Sequence, residues 1–503
     1  MLKKNINFAS LQASSEKANR IHNTDRKLRS RSDYQRDRDR ILYSLAFRRL
    51  IGKTQIFNVG IGEHYRNRLT HTLAVMQIAT SISKRLGLNT ELTEAIAMGH
   101  DIGHTPFGHV GERTLNHIMN NCDVVDKFGI CIDEKQRGFK HNLQGLRRLS
   151  CIEKRSKEFS GLNLTTDTLW GIVNHTTVQW DKCTKFEKSK KYCLMRMSRK
   201  EYLCPNYDQK NTHGVPKVDF YDECLSKLPE MAWTFEAFVV KYADEIAQMH
   251  HDVEDGILAG IFKAKEFTDM FRKHFEKTPC FTSNVAKDLE EIEKEITSKT
   301  KYVLPLLSKF IIWFYIGNYS LSVAKVLQKE IIRKFEIKDN NEFHKKKKTI
   351  WETPHIIKKE NKRVSLVGLD KIDYIMNFNE DFIEPNRKLK ELLKTTIISS
   401  RKAQLMDGKG TFIIRKLFEA YLNTPNQLPD RVVLKLFVDY GLNPEDSNYD
   451  LGLCRQELGN HKSLQGDDIR ILLCRNICDY ISSMTDSYAL RQYEKLYGSK
   501  VLQ

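Results

Sequence analysis

This 503-residue sequence is short of everything that marks a membrane, fibrous or disulfide-stapled chain. Its longest apolar stretch, Val303 to Leu321, is broken by Lys309 and Asn318 and carries Pro305 near its start, which disfavours a bilayer span and predicts a buried helix. Twenty-five glycines and eleven prolines are too few for a low-complexity chain. The eleven cysteines fall without a paired framework, and the start Met1-Leu2-Lys3-Lys4-Asn5 lacks the apolar run of a secretory signal, so a reducing cytoplasm is expected. Cys474 and Cys478 sit one helical turn apart among Ile471, Leu472, Leu473 and Ile477, a core pattern rather than a redox pair. Cys183, Cys193 and Cys204 lie near His213, but their spacing matches no common zinc knuckle. Strand-like alternation is rare, and no internal repeat is found.

What is present is charge and helical periodicity. Apolar residues make up 40% and charged residues 29%, so the chain folds, as one large domain or several ordinary ones. A net charge of +18 draws polyanions: nucleic acids, anionic membrane surfaces or triphosphates. Clusters such as Arg26 to Arg40 and His344 to Lys348 fit phosphate binding, although a solvated surface accounts for either one alone. Leu69, Leu73, Met76, Ala79, Ile82 and Leu86 recur at three- and four-residue steps up to Gly87, and similar faces run through 92–98, 143–149, 235–249, 397–422 and 471–496. The expected fold is all-α, with a short β-hairpin near Lys53 to Tyr65, where Gly60 and Gly62 break the pattern. Residues 177–229 (rich in Lys and Cys), 284–301 (charged, a surface helix) and 339–363 (polar and basic) interrupt the order as insertions or linkers.

The chemistry centres on His100-Asp101, at the end of an apolar helix and followed by Gly103. Adjacent helical residues point about 100° apart, so both reach one ion only where the helix ends. A lone His-Asp pair is weak. His71, inside one helix, and Asp244, after the apolar Phe235-Phe238-Val239 face of another, change its meaning, because a buried carboxylate must be paired or bound to metal. Two imidazoles and two carboxylates suit Mg, Mn, Co, Fe or Zn, with open positions for water and phosphate oxygens. Directly after them, His104-Thr105-Pro106-Phe107-Gly108-His109 carries a tight turn that lets His104 and His109 face one cleft, and Glu112 stands one turn beyond His109 as its carboxylate partner. His141 opens another apolar helix.

At this point the chain resembles the deoxyguanosine triphosphate triphosphohydrolase branch of the HD superfamily, of which the animal SAM-and-HD-domain dNTP hydrolases are distant relatives. The likeness runs from about Arg31 to Gly498. It rests on Tyr34-Gln35-Arg36-Asp37-Arg38-Asp39-Arg40 running into Ala46 to Leu50 and Lys53-Thr54-Gln55; on Arg68 to His71; on His100 through Glu112; on Phe139 to Gly145; on Ala243 to Ala247; and on Asp479-Tyr480-Ile481-Ser482-Ser483-Met484-Thr485-Asp486. It implies an HD-domain helical core with additional carboxy-terminal helices: an N-terminal arm over 1–30, an HD catalytic domain over 31–260 containing the basic insertion 177–229, and a helical region over 261–503 packing on that core.

The resemblance also implies removal of the triphosphate whole, with dGTP favoured. His71, His100, Asp101 and Asp244 would hold a divalent metal, Mg or Mn first. His109, oriented by Glu112, would protonate the leaving group, with His104 and His141 stabilising phosphate charge or relaying protons. Arg68 would contact the phosphates, and Gln55 and Asp252 the sugar. Partners expected on the same ground are a dNTP, other copies of the chain in a dimer-based oligomer such as a hexamer, and a single-stranded DNA or nucleotide effector; a membrane is not. The pattern is departed from at Gln248, where many relatives carry Tyr, and at Glu245, where the animal enzymes carry Lys. Three other readings stay open: a broad-specificity dNTPase, an HD phosphohydrolase or phosphodiesterase acting on a different nucleotide, and a non-catalytic nucleic-acid-binding module supported by charge alone.

Overall fold

A computed structural model of the chain describes residues 12–13, 18–22, 30–55, 66–120, 130, 132, 136–176, 221, 224, 234–335, 358–360, 363–365, 377–440, 451–459 and 467–498, with main chain only at 327–335, 358–360, 363–365 and 467–468. The fold is helical, as expected. Helix α1, Asp33–Leu42, starts in a capping box in which the Ser32 hydroxyl accepts from Gln35 N–H while the Gln35 side chain accepts from Ser32 N–H. The single turn α2, Leu45–Arg48, follows, and then α3, Arg68–Leu86, which is capped by Asn67 and stopped by Gly87 in the left-handed region at φ 70°. α4, Thr90–Gly99, runs through the middle of the molecule with Leu92, Ala95, Ile96 and Ala97 fully buried. α5, Gly108–Ile118, α6, His141–Arg147, and α7, Thr166–Asn174, lead to the 24-residue α8, Phe235–Leu258, which lies against α3, α4 and α7.

Beyond α8 come α9 (Ala264–Phe275), α10 (Ser283–Thr297), α11 (Val303–Phe335), α12 (Glu380–Ile398), α13 (Arg401–Asn423), α14 (Asp430–Asp439), α15 (Leu451–Gly459), α16 (Asp467–Ser482) and α17 (Asp486–Tyr497). They serve two different cores. α9 to α12 extend the core of α1, α3, α4 and α6 to α8 with an aromatic cluster of Phe271, Phe275, Phe310, Phe314, Phe378 and Phe382. α13 to α17 enclose a second core that takes in Leu115 and Ile118 of α5 and Phe139. The junction of the two cores lies between α4 and α5, where the His-rich turn sits.

Several details depart from the periodicity. In α3 the buried stripe runs through His71, Val75, Ile78 and Ile82, while Leu73 is 44% exposed. Ala79, Ile82 and Leu86 of the expected stripe are buried and Leu69 and Met76 pack against the core, so Leu73 alone departs from it, where the helix turns His71 inward. The stretch 303–321 is part of a 33-residue helix buried on one side by Leu307, Phe310, Ile311, Phe314 and Tyr315, with Trp313 half exposed. No described helix is long and apolar enough to cross a membrane. Thr54 and Asn67 form an isolated antiparallel bridge, but residues 56–65 of the expected hairpin, Gly60 and Gly62 included, lie outside the described residues. So do Cys183, Cys193, Cys204 and His213. A two-stranded antiparallel ribbon, β1 (Lys358–Glu360) with β2 (Arg363–Ser365), runs along the end of the polar stretch 339–363.

The N-terminal arm is fastened to the core. Arg20 pairs with Asp33 at 3.0 Å and Asp37 at 2.7 Å, and Ala13 N–H donates to Glu236, which also accepts from Asn89 N–H. Glu236 is fully buried at the start of α8, and desolvation pushes its carboxyl up from 4.5 to about 7. Between those two values the unfolded chain releases a proton that the folded protein keeps, so stability falls as pH rises from 4.5 to 7 and is level above. At about 1.4 kcal/mol per pKa unit this amounts to roughly 3 kcal/mol. Glu236→Gln is therefore expected to gain on the wild type in denaturant unfolding at pH 8 relative to pH 5; an unchanged difference between the two proteins would reject the assignment.

Candidate metal centre and phosphate pocket

Three helices bring four ligands to one point. His71 enters from the first turn of α3, His100 and Asp101 from the end of α4, and Asp244 from the middle of α8. Asp244 Oδ1 lies 2.9 Å from His71 Nε2 and 3.8 Å from His100 Nε2. Asp101 Oδ2 is 3.8 Å from His71 Nε2, and its Oδ1 is 3.5 Å from His100 Nε2. The ligand atoms of His71, His100 and Asp101 all lie within 4.8 Å of one another. His100 Nδ1 donates to the Ala97 carbonyl at 2.6 Å, which leaves Nε2 as a bare lone pair. That nitrogen is buried and has no hydrogen-bond partner. An orphaned nitrogen lone pair facing two carboxylates is a poor core feature and a good ligand, so these residues fit a divalent cation.

The electrostatics agree. Burial alone would raise the Asp101 carboxyl, but His100, Arg68 and His104 outweigh it and hold it well below the usual range. Asp244 is likewise held down, with His71 and His100 overcoming desolvation. Arg68, 1% exposed, gives Nη1 to Asp101 at 2.7 Å and keeps Nε and Nη2 without partners.

Beside the quartet lies the second group. The loop after α4 turns on Phe107, whose φ of 59° is unusual for a side chain with a Cβ. Asp486 holds it: one carboxylate oxygen accepts from Phe107 N–H at 2.9 Å, and the other accepts from both Thr54 N–H and the Thr54 hydroxyl. Lys53, fully buried, donates to the carbonyls of His104 and Ser482. A Cβ at Gly103 would fall 1.9 Å from the His141 carbonyl, so only glycine lets α6 come this close to the loop. The carboxy-terminal block thus clamps the loop that carries His104 and His109. Asp479 of the same block pairs with Arg147 and accepts from Gln144.

In that clamp His104 Nε2 meets Asp101 Oδ1 at 3.1 Å, and its ring stacks on His141 with centroids 3.8 Å apart. Glu112 accepts from His141 Nδ1 at 2.7 Å, although sequence reading assigned it to orient His109; burial of Glu112 is offset by His141, and its carboxyl falls to about 2. The ligand atoms of His104, His109 and Glu112 lie within 4.8 Å of one another, so His109 shares the group without that hydrogen bond. Unlike its buried neighbours His104 and Glu112, His109 is exposed. Desolvation lowers it below the ordinary histidine value, opposed by Glu112.

Two buried histidines escaped sequence reading. His175, ending α7, donates Nδ1–H to the Ile172 carbonyl at 2.6 Å and presents Nε2 to His141 Nε2 at 3.2 Å. Burial holds His175 well below the ordinary histidine value, and its Nε2 faces the Nε2 of His141, whose Nδ1 donates to Glu112. His251 lies 3.1 Å from His71, nitrogen to nitrogen. Its signal was spacing: seven residues after Asp244 is two helical turns, and so the same face.

Of the expected sugar contacts, Gln55 lies beside the pocket, its carbonyl 3.6 Å from where a Gly108 Cβ would stand, and its buried Oε1 has no partner. Asp252 stands two turns beyond Asp244, half-buried, with its carboxyl pushed up to about 7 by desolvation and Asp255 and eased down by Lys390 and Lys394. Gln248 points to solvent, and Glu245 pairs with Lys390 of α12 at 2.7 Å.

Residues 68–249 match the HD domain, and residues 376–436 and 461–495 the phosphohydrolase-associated domain. Proteins named deoxyguanosinetriphosphate triphosphohydrolase-like are similar along nearly the whole chain. The one from Geobacter metallireducens is 30% identical over 470 residues, 93% of this chain and 89% of its own. Those from Rickettsia bellii and Rickettsia canadensis are 30% and 31% identical over 467 and 473 residues, covering 93% of this chain and 92% and 93% of theirs.

Proposed function

Because this chain belongs to the family of deoxyguanosinetriphosphate triphosphohydrolase-like HD-domain phosphohydrolases, we propose that it hydrolyses a deoxynucleoside triphosphate, dGTP first, to deoxynucleoside and tripolyphosphate. The observation that carries the reading is the convergence of His71, His100, Asp101 and Asp244, with the unpartnered donors of Arg68 and the exposed His109 close by. A divalent cation in the quartet, Mg or Mn first, supplies Lewis-acid polarisation of the phosphate.

The chain's own residues divide the remaining work. Arg68 Nε and Nη2 donate to phosphate oxygens, where a guanidinium fork suits them. His104 and His141, stacked on each other, stabilise phosphate charge or relay protons. Water adds at the α-phosphorus, the bond from phosphorus to the sugar 5′-oxygen breaks, and His109 delivers the proton that oxygen takes up. Unliganded His109 holds its proton weakly; the arriving triphosphate adds negative charge, which favours the imidazolium needed for that step. Gln55 and Asp252 face the sugar. The same reading includes self-association in a dimer-based oligomer and a nucleotide or single-stranded DNA effector on the basic surface, whose binding would weaken steeply with salt.

Incubating the full-length protein with each dNTP and NTP plus Mg or Mn, and resolving products by anion exchange, tests the proposal. Tripolyphosphate with deoxynucleoside is expected. Pyrophosphate or monophosphate products would assign a different nucleotide phosphohydrolase, and no turnover of any nucleotide would defeat both.

A further inference from the structure

One nitrogen of His71 has a partner that the ligand set does not require. Its Nε2 faces Asp244 and Asp101; its Nδ1 lies 3.1 Å from Nδ1 of His251, with both rings 1% exposed and crossing at 71°. Two imidazole nitrogens at that distance share one proton: one donates and the other accepts. If His71 offers its Nε2 lone pair to a cation, its only proton sits on Nδ1, and His251 Nδ1 must accept it. His251 then carries its own proton on Nε2, a buried atom without a partner.

We propose that His251 is the positioning residue that fixes His71 as an Nε2 ligand by accepting its Nδ1 proton. The proposal rests on the reading of His71 as a metal ligand. Ligating histidines ordinarily give their second N–H to a carboxylate, a carbonyl or water. Here a neutral ring does that work, orienting His71 without adding a further negative charge to a site that already holds Asp101 and Asp244.

Manganese titration calorimetry on the full-length protein tests it with three variants. His251→Phe keeps a ring but no acceptor and is expected to weaken manganese binding roughly 10- to 100-fold, the usual cost of losing such a partner. His251→Asn places an amide oxygen near the position of Nδ1 and should recover most of the loss. Equal affinity of wild type and His251→Phe overturns the proposal, as does a His251→Asn protein no better than His251→Phe, which would make the role one of packing. His71→Ala should lose binding; if it binds like the wild type, or the wild type binds no manganese, the ligand reading itself fails. Nitrogen-15 NMR of wild-type His71 needs no variant: with magnesium bound its proton should sit on Nδ1, and a proton on Nε2 would reject the assignment.

Discussion

Asp101→Ala is expected to bring nucleotide hydrolysis to background and to strip the protein of its divalent cation. Asp101 is the hub of the site, 2.7 Å from Arg68, 3.1 Å from His104, and within 3.5 and 3.8 Å of His100 and His71. Losing one preorganised charge of this kind costs on the order of 10²- to 10³-fold in rate, and losing the cation with it costs more. The change also leaves the Arg68 guanidinium buried without a counter-ion, a penalty of about 3–5 kcal/mol. Asp101→Asn, which keeps the shape, separates that instability from the chemistry. Metal content, turnover and thermal unfolding of both variants decide the matter: a folded Asp101→Ala protein that retains its cation would remove Asp101 from the ligand set.

His109→Gln should do the reverse, losing roughly 10²- to 10⁴-fold in turnover, the range for a positioned acid, while the cation stays bound. The residue is exposed and stands apart from the quartet, so its removal leaves no buried charge behind. The comparison is informative because His104, His109 and Glu112 also come within 4.8 Å of one another. Loss of metal in His109→Gln would place the cation in that second group. A protein with full turnover would return the proton transfer to water.

Much of this site was legible in the sequence because its residues stand where a core would not choose them. A carboxylate at 244 behind an apolar face, and four histidines between 71 and 109, call for a common partner. The all-α fold followed from periodicity just as directly. What periodicity could not supply was phase: in α3, Leu73 fits the three-four pattern yet points outward, because the inward position belongs to His71. Nor could spacing say which imidazole Glu112 would hold. His141, 29 residues downstream, wins that hydrogen bond over His109, three residues away, since α6 packs across the loop against Gly103. His175 and His251 were overlooked for a related reason: each resembles an ordinary buried histidine until its neighbour's second nitrogen is known. The carboxy-terminal block was recognisable as a signature, but its work became physical only once Asp486 was seen accepting from Thr54 and Phe107.

That clamp bears on the order in which the molecule comes into being. Lys53 reaches across 429 residues to the Ser482 carbonyl, and Thr54 across 432 to Asp486. On a ribosome the quartet's helices emerge early, while the turn that carries His104 and His109 must wait for almost the last helix before it acquires its fasteners. A nascent or truncated chain would therefore hold the ligands of the centre without its finished pocket. A fragment ending before residue 479, which lacks Ser482 and Asp486, is therefore expected to be a poor consumer of nucleotides even where its helices form.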